Sequence, residues 1–295
     1  MHHVVQENLF NEFGFRDLLV ALEDNGCKYT VVKVLPHARK GDIVEHNFDE
    51  SVHLAHELEL PSDEAVMVWG ATTLGHIAVE KGWKPGRFQN DKFDMRYLTK
   101  RFGPYMLNDD AQFCTFGELA FEGTKFIRPV HDSKSFSGTV IDGAELAEWK
   151  KRVEDTSDGY ATLTMDTPVM YASPKKIDLE ARFFIVDGTI VTGSSYRTLG
   201  RQIMYQRVDS NNPMFHPMVE FVKDMLAVDC TDESDTYDST YAEPIEVAYV
   251  MDIGLVDGEY KVVEINTLNS AGFYASDMGA VVRALEALNG FVLCF

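Results

Sequence analysis

The sequence predicts an α+β protein that opens with a small α/β unit. Three observations carry this reading. Short apolar runs alternate with a helical pattern over roughly the first 85 residues. From Thr124 onward, long β-rich segments are joined by turns, of which Asp187-Gly188 and Asp257-Gly258 are strong two-residue hairpin signals. Amphipathic helical spacing is confined to a few stretches between them.

Phe15 to Asp24 has helical apolar spacing, Lys28 to Leu35 reads as a strand, and Ala65 to Trp69 as a second, buried strand ended by Gly70. Gly70 to Gly75, followed by His76 to Lys81, reads as a tight turn and a helix start, where backbone amides can hold an anion. The full dinucleotide fingerprint is missing, so an ordinary βα turn is the simpler reading. Asp91 to Arg101 reads as an amphipathic helix with a mixed-charge face. Beyond it, Thr124 to Pro129 and Thr139 to Ile141 read as paired strands, Thr167 to Ser173 as the next strand, and Asp178 to Asp187 with Thr189 to Arg197 as a hairpin. Helices are expected at Gly143 to Arg152, Pro213 to Met225 and Ala275 to Leu288. A domain boundary falls near residues 85 to 110, and the acidic, apolar-poor stretch Asp229 to Asp238 reads as a mobile surface loop.

A chain of 295 residues is long enough for one large core or two to three packed subdomains. Its 47 acidic and 27 basic residues leave a net charge of -20, which repels a phosphate backbone and disfavours duplex nucleic acid as a partner. Cys27, Cys114, Cys230 and Cys294 are scattered without metal-type spacing, which fits a reduced cytoplasmic setting. No segment approaches the roughly twenty apolar residues that span a bilayer, and no export signal is evident, so a soluble, non-exported protein is expected. His2-His3 carries no functional reading.

The chemistry concentrates late in the chain. Asp252 ends one apolar run, while Glu264 and Asn266, two apart, share one face at the end of the next. Two carboxylates and an amide oxygen suit a hard cation such as magnesium, with positions left for phosphate and water. A hairpin whose polar residues face water is an equal reading of that segment alone. Glu180 and Arg182 share a face, and Arg197 on the partner strand can approach Arg182. Two guanidiniums tolerate each other best around an anion, although a salt-bridged sheet face fits as well. The loop from His131 to Gly138, with Lys134 and three serines, can wrap phosphates or can be a solvated hairpin loop.

In order, Asn90-Asp-Lys92, Phe126-Ile-Arg-Pro129, Glu180-Ala-Arg182, Arg197, Asp252, Glu264-Ile-Asn266 and Asn269-Ser-Ala-Gly272 resemble the ATP-grasp ligases, in particular the glutathione-synthetase-like and phage-encoded branches. The likeness covers roughly residues 65 to 290. It implies an ATP-grasp fold, two α+β subdomains clasping ATP, over residues 89–295, preceded by a small Rossmann-like pre-ATP-grasp domain over 1–88. The nucleotide subdomain would occupy about 115–190 and the metal subdomain about 190–290.

Carried over by this resemblance, Lys92 and Arg128 contact phosphates, with Arg128 standing where many members have a second lysine. The loop after it lacks the family's common glycine pair, so Lys134 would add contacts. Met170, Tyr171 and Ala172 would form the hinge whose backbone pairs with adenine, and Glu180 would bind ribose. Arg182 and Arg197 would hold the transferred phosphate, Asp252, Glu264 and Asn266 would ligate Mg2+, and Asn269, Ser270 and Gly272 would approach the acceptor. The implied reaction activates a carboxylate with ATP and Mg2+ and passes it to an amine, releasing ADP and phosphate. A phosphotransferase on the same fold, a silent nucleotide-binding module, and a ligase acting on a nucleotide base or protein tail remain open beside it. The partners implied are small carboxylates and amines; many relatives are homodimers. A phage-encoded protein would act in the host cytoplasm.

Overall fold

The computed structural model describes residues 1–7, 12–34, 53–89, 91–131, 135–156, 162–198, 205–208, 212–230 and 245–292. The described residues form three sheets. The first is parallel, with β1 (His2–Gln6), α1 (Glu12–Asp24), β2 (Lys28–Lys33), β3 (His53–Leu54), β4 (Val66–Trp69), α2 (Thr72–Glu80) and β5 (Pro85–Gly86) in strand order β3-β2-β1-β4-β5. The inner strand β4 is buried along its whole length, which is why it reads as an unbroken apolar run. Two features differ from the sequence reading. The α2 helix begins at Thr72, so Gly75 lies inside it rather than in a turn; an added Cβ there would come within 2.5 Å of the Arg87 side chain, so glycine admits a close approach. His2 and His3 lie in β1, at the centre of the sheet, where His3 is fully buried.

A 3-10 turn at Asp91–Phe93 follows, and Asp94 then caps α3 (Met95–Phe102) by accepting from the Arg96 amide at 2.6 Å. The single helix expected over 91–101 is therefore broken at its capping aspartate. The second sheet is antiparallel: β6 (Gln112–Thr115), β7 (Thr124–Pro129), β8 (Thr139–Asp142), α4 (Gly143–Asp155) and β9 (Pro168–Ala172), in order β6-β9-β7-β8. Phe116, Leu119, Ile127, Leu146, Val153 and Val169 form its core.

The third sheet holds β10 (Leu179–Val186), β11 (Thr189–Thr198), β12 (Gln206–Val208), β13 (Ala248–Val256) and β14 (Glu259–Thr267), with α5 (His216–Cys230) before β13 and α6 (Met278–Val292) after β14. Its order is β12-β11-β10-β13-β14. Both expected hairpins form. Asp187 and Gly188 take φ of 49° and 66°, and Asp257 and Gly258 take 51° and 85°, the left-handed pair that a two-residue hairpin turn requires. The acidic stretch begins as the last turn of α5, and residues 231–238 lie outside the described residues.

Both faces of the central strands are covered. Ala181, Phe183, Ile185, Met251 and Ile253 pack with α3 and α5, whereas Phe184, Val186, Ala248 and Val250 pack with α6. That second core also takes Val5, Met67 and Trp69 from the parallel sheet, so the N-terminal unit and the third sheet share one interior. A buried polar chain reinforces it: the Trp69 indole donates to His3 Nδ1 at 2.9 Å, His3 Nε2 lies 2.7 Å from Glu286 on α6, and the Met1 ammonium reaches the same carboxylate at 2.9 Å. The strand β10, expected in the nucleotide subdomain, pairs with β11 and β13 instead. Its burial on both faces demands an interior position, and the crossing between the antiparallel sheets falls at residues 173–178, not near 190.

Candidate active site

A row of polar side chains crosses the third sheet on the α6 side, beyond the start of that helix. Register pairs Arg207 with Ser194, Ser194 with Arg182, Arg182 with Asp252, and Asp252 with Glu264. The row depends on bulges. Regular pairing back from the Asp257-Gly258 turn would set Asp252 opposite Val263, and Glu264 would then face the other side of the sheet. An irregularity at Asp252/Ile253 leaves Val263 as the extra residue and brings Asp252 and Glu264 together. Two further irregularities between β10 and β11 carry Arg197 to the position opposite Glu180, two residues along from Arg182. The Arg197 side chain lies outside what is described.

Arg182 and Asp252 form a two-pronged buried pair, Nε to Oδ1 at 2.8 Å and Nη2 to Oδ2 at 2.7 Å. Burial opposes the Arg182 charge, but Asp252 outweighs it and holds the guanidinium protonated above its ordinary range. Burial pushes the Asp252 carboxyl up, and Arg182 acts against that push. The Arg182 guanidinium also lies 5.7 Å from the Tyr196 ring and 5.4 Å from the Tyr274 ring, and these rings stack on each other at 4.9 Å. Tyr205 continues the stack on Tyr274 at 5.3 Å. Burial, with the Asp252 and Glu180 carboxylates nearby, pushes the Tyr196 phenol far up. Tyr274 holds a left-handed backbone, φ 52°, which a non-glycine residue adopts only where its surroundings compel it.

At the other end of the row, Glu264 accepts from Arg128 Nη1 at 2.6 Å and from the Asn266 amide at 2.6 Å. Burial acts to raise its carboxyl, but Arg128 and Asn266 outweigh this and hold it below the usual carboxylate range. Arg128 comes from β7 of the second sheet, so this pair spans two sheets. Beside it opens a cleft of about 360 Å³ lined by Phe126, Arg128, His131, Phe136, Gly138 and Glu264 among others. The 3-10 turn bearing Lys92 packs against β14, and the Met95 amide donates to the Val130 carbonyl just past β7, so Lys92 belongs to the same neighbourhood. His131, on the loop, sits 3.0 Å from Asp94. Lys134 and Asn90 lie outside the described residues. Asp252, Glu264 and the Asn266 carbonyl oxygen form a donor set that could hold a hard cation, since carboxylate oxygens keep lone pairs after accepting from arginine.

Two expectations need correction. The backbone of Met170 to Ala172 has no edge to offer adenine, because β9 is an inner strand paired with β6 on one side and β7 on the other. The first backbone beyond that ladder is Ser173, whose amide donates to Asp110 at 2.9 Å, with Lys175 on the same carboxylate. Asn269 is fully buried. Its amide donates to the Val68 carbonyl at 2.6 Å, its oxygen accepts from the Phe88 amide and Thr267 hydroxyl, and its own carbonyl receives the Gly70 amide. It fastens the parallel sheet to the 3-10 turn Leu268–Ser270, and its side-chain oxygen and amide are both occupied within the protein. Ser270 closes that turn half-buried, the Gly272 carbonyl lies 3.5 Å from Arg182 Nη1, and Glu180 is buried beside Tyr196. Sequence reasoning missed Tyr196, Tyr205, Tyr274 and Asp110; tyrosines carry no motif spacing, and only the left-handed backbone at Tyr274 singles one out.

Two antiparallel sheets that meet across a cleft, with a parallel sheet ahead of them, define the ATP-grasp fold. The chain belongs to a family of ATP-grasp domains, the third family of the R-2-K clade, matched over residues 67–285. No curated protein matches it in sequence. Among solved structures it is similar to D-alanine–D-alanine ligase from Bacillus anthracis complexed with ATP, at 16% identity and a TM-score of 0.56, covering 98% of this chain and 99% of that one. It is also similar to the D-cycloserine synthetase DcsG, with 12% identity, a TM-score of 0.57, and coverage of 97% and 99%. The ATP-grasp ligase PsnB complexed with a minimal precursor gives 14% identity and a TM-score of 0.53, with coverage of 97% and 98%. At these identities the structures share the fold. No described helix is long and apolar enough to cross a membrane.

Proposed function

We propose that the protein is an ATP-dependent, ADP-forming carboxylate–amine ligase. The observation that carries the proposal is the continuous row from the Arg128–Glu264 cleft through Asp252 to Arg182, in a chain of the ATP-grasp family. Ligases and a synthetase among the structures of the same fold support it. The acceptor carboxylate would attack the γ-phosphorus, breaking the bond to the oxygen that leaves with ADP. An amine would then add to the acyl phosphate and expel phosphate, forming the amide.

Lys92 and Arg128, with Lys134, would neutralise the phosphates, and Glu180 would meet the ribose. Asp252, Glu264 and Asn266 would hold Mg2+, which neutralises charge between the phosphates when bound. Arg182 and Arg197 would spread the charge on the transferred phosphoryl group and on the later oxyanion, and no side-chain nucleophile is needed. The buried, protonated state of Arg182 supports that role. In the described arrangement each carboxylate is neutralised by an arginine, and nucleotide phosphates would draw Arg128 away from Glu264.

The test is nucleotide product identity with Mg2+-ATP and pooled amino acids, small peptides and polyamines. ADP and phosphate released only with the pool are expected. AMP would overturn the mechanism, while a stable phosphorylated product without amide would indicate a phosphotransferase. Saturable ATP binding with no product from any pool would indicate a binding module.

A further inference from the structure

Among the described residues, three that are not glycine have a left-handed backbone: Asp187 and Asp257, each in a hairpin turn, and Tyr274 at φ 52°. The aspartates meet the demand of their turns. Tyr274 lies in no hairpin, and glycine would hold the same backbone at less cost. Its neighbours show what compels it. Phe273 is buried, edge-on to Trp69 at 6.0 Å and tilted against Phe184 at 6.4 Å. The Ala275 amide donates to the hydroxyl of fully buried Ser194 at 3.0 Å, and the Asp277 amide donates to Thr192 Oγ1 at 3.0 Å. The backbone is thus pinned to the core on one side and to β11 on the other, and these anchors hold Tyr274 in a conformation it would not adopt alone. Gly272 leaves room for the ring, since an added Cβ there would come within 3.2 Å of Tyr274 Cζ.

This conformation sets the ring against Arg182. The guanidinium carbon and the ring centroids of Tyr196 and Tyr274 form a nearly equilateral triangle, with sides of 5.7, 5.4 and 4.9 Å, so the cation rests against both rings at once. Tyr205 in turn stacks on Tyr274 at 5.3 Å. Asp252 occupies Nε and Nη2, which fixes one edge of the guanidinium but lets it rock about that edge. Nη1 has only a long contact of 3.5 Å, to the Gly272 carbonyl. It is the nitrogen left to meet a phosphoryl oxygen, and the two rings limit the rocking that would misdirect it.

We propose that Tyr274 is a positioning residue: held in its left-handed backbone and stacked on Tyr196, its ring keeps the Arg182 guanidinium aimed so that Nη1 meets the transferred phosphoryl group. The inference rests on the ligase reading of Arg182 and adds the residue that orients it. The ring face carries the role, because the attraction is between a cation and an aromatic quadrupole and does not need the hydroxyl.

The experiment titrates the full chain with Mg2+-ADP and with Mg2+ and β,γ-imido ATP by calorimetry, so that the difference reports the γ-phosphate. The parent is expected to bind the analogue more tightly than ADP. Tyr274→Leu is expected to weaken the analogue about tenfold while ADP affinity holds within about twofold, and Tyr274→Phe, which keeps the ring, is expected to match the parent. Tyr274→Gly suits the left-handed backbone and removes the ring, so the same selective loss is expected in a protein whose loop is free of strain. An analogue-to-ADP ratio unchanged in Tyr274→Leu and Tyr274→Gly overturns the proposal. So does a loss shared equally by ADP, which would mean a structural role, or a loss in Tyr274→Phe as large as in Tyr274→Leu. A parent that binds ADP and the analogue equally would remove Arg182 from the γ-phosphate and the proposal with it, whereas a parent that binds neither would overturn the ligase reading itself.

Discussion

The two arginine–carboxylate pairs of the row share one chemistry and differ in surroundings. Arg182 and Asp252 sit on neighbouring inner strands, joined by two short hydrogen bonds, with Asp252 only 1% exposed. Arg128 and Glu264 come from different sheets, share one hydrogen bond, and keep 16% and 24% of their side chains exposed to the cleft. A buried pair loses several kcal/mol when one partner is removed, because the other charge is stranded away from water. A pair at a cleft edge is rehydrated instead. The first pair is therefore built into the sheet, whereas the second stands at an open cleft.

The largest effect that would expose this difference is in Asp252→Asn, which strands Arg182. It is expected to abolish turnover and to lower stability by about 3 kcal/mol or more in denaturant unfolding. Unchanged stability would break the contrast. Glu264→Gln is the matching test at the cleft: turnover is expected to fall at least a hundredfold, with a stability change below about 1 kcal/mol. A loss as large as that of Asp252→Asn would mean that the cleft pair also holds the fold together.

Arg128 then sharpens the comparison. Lysine keeps the charge without the planar fork, so Arg128→Lys is expected to retain ATP affinity within about tenfold, while Arg128→Met loses more, by nucleotide titration. The smallest effect concerns the crossing between the sheets that carry the two halves of the cleft pair. Burial pushes the Asp110 carboxyl up, but Lys175 and the Ser173 amide and side chain outweigh this and lower it to about 2. The folded pKa lies below the unfolded value, so the stabilisation is present above about pH 4 and lost as pH falls through about 2. It is screened to well under about 1 kcal/mol, since 38% of the side chain is exposed. Unfolding curves of Asp110→Asn are expected to lack that component, and an identical pH dependence would remove Asp110 as the anchor of the crossing.

Much of this arrangement is legible in the chain alone. Alternating apolar patterns and the left-handed turn pairs Asp187-Gly188 and Asp257-Gly258 mark the third sheet, because side-chain period and turn chemistry are local properties. The short strands β3, β5 and β12 are not legible, since two- and three-residue segments carry no period. Nor is the inner position of β9, whose pairing on both edges is a property of its neighbours.

The sequence by itself determined which residues carry charge, where the hairpins turn, and that Glu264 and Asn266 share a face. Only the tertiary structure decided that Asp252 meets Glu264, because one extra residue in a strand flips every side chain beyond it, and no local pattern announces a bulge. It likewise decided that Asn269 is a fastener rather than a ligand, because its partners at Val68 and Phe88 lie far away in the chain and are brought close only when the sheets share a core.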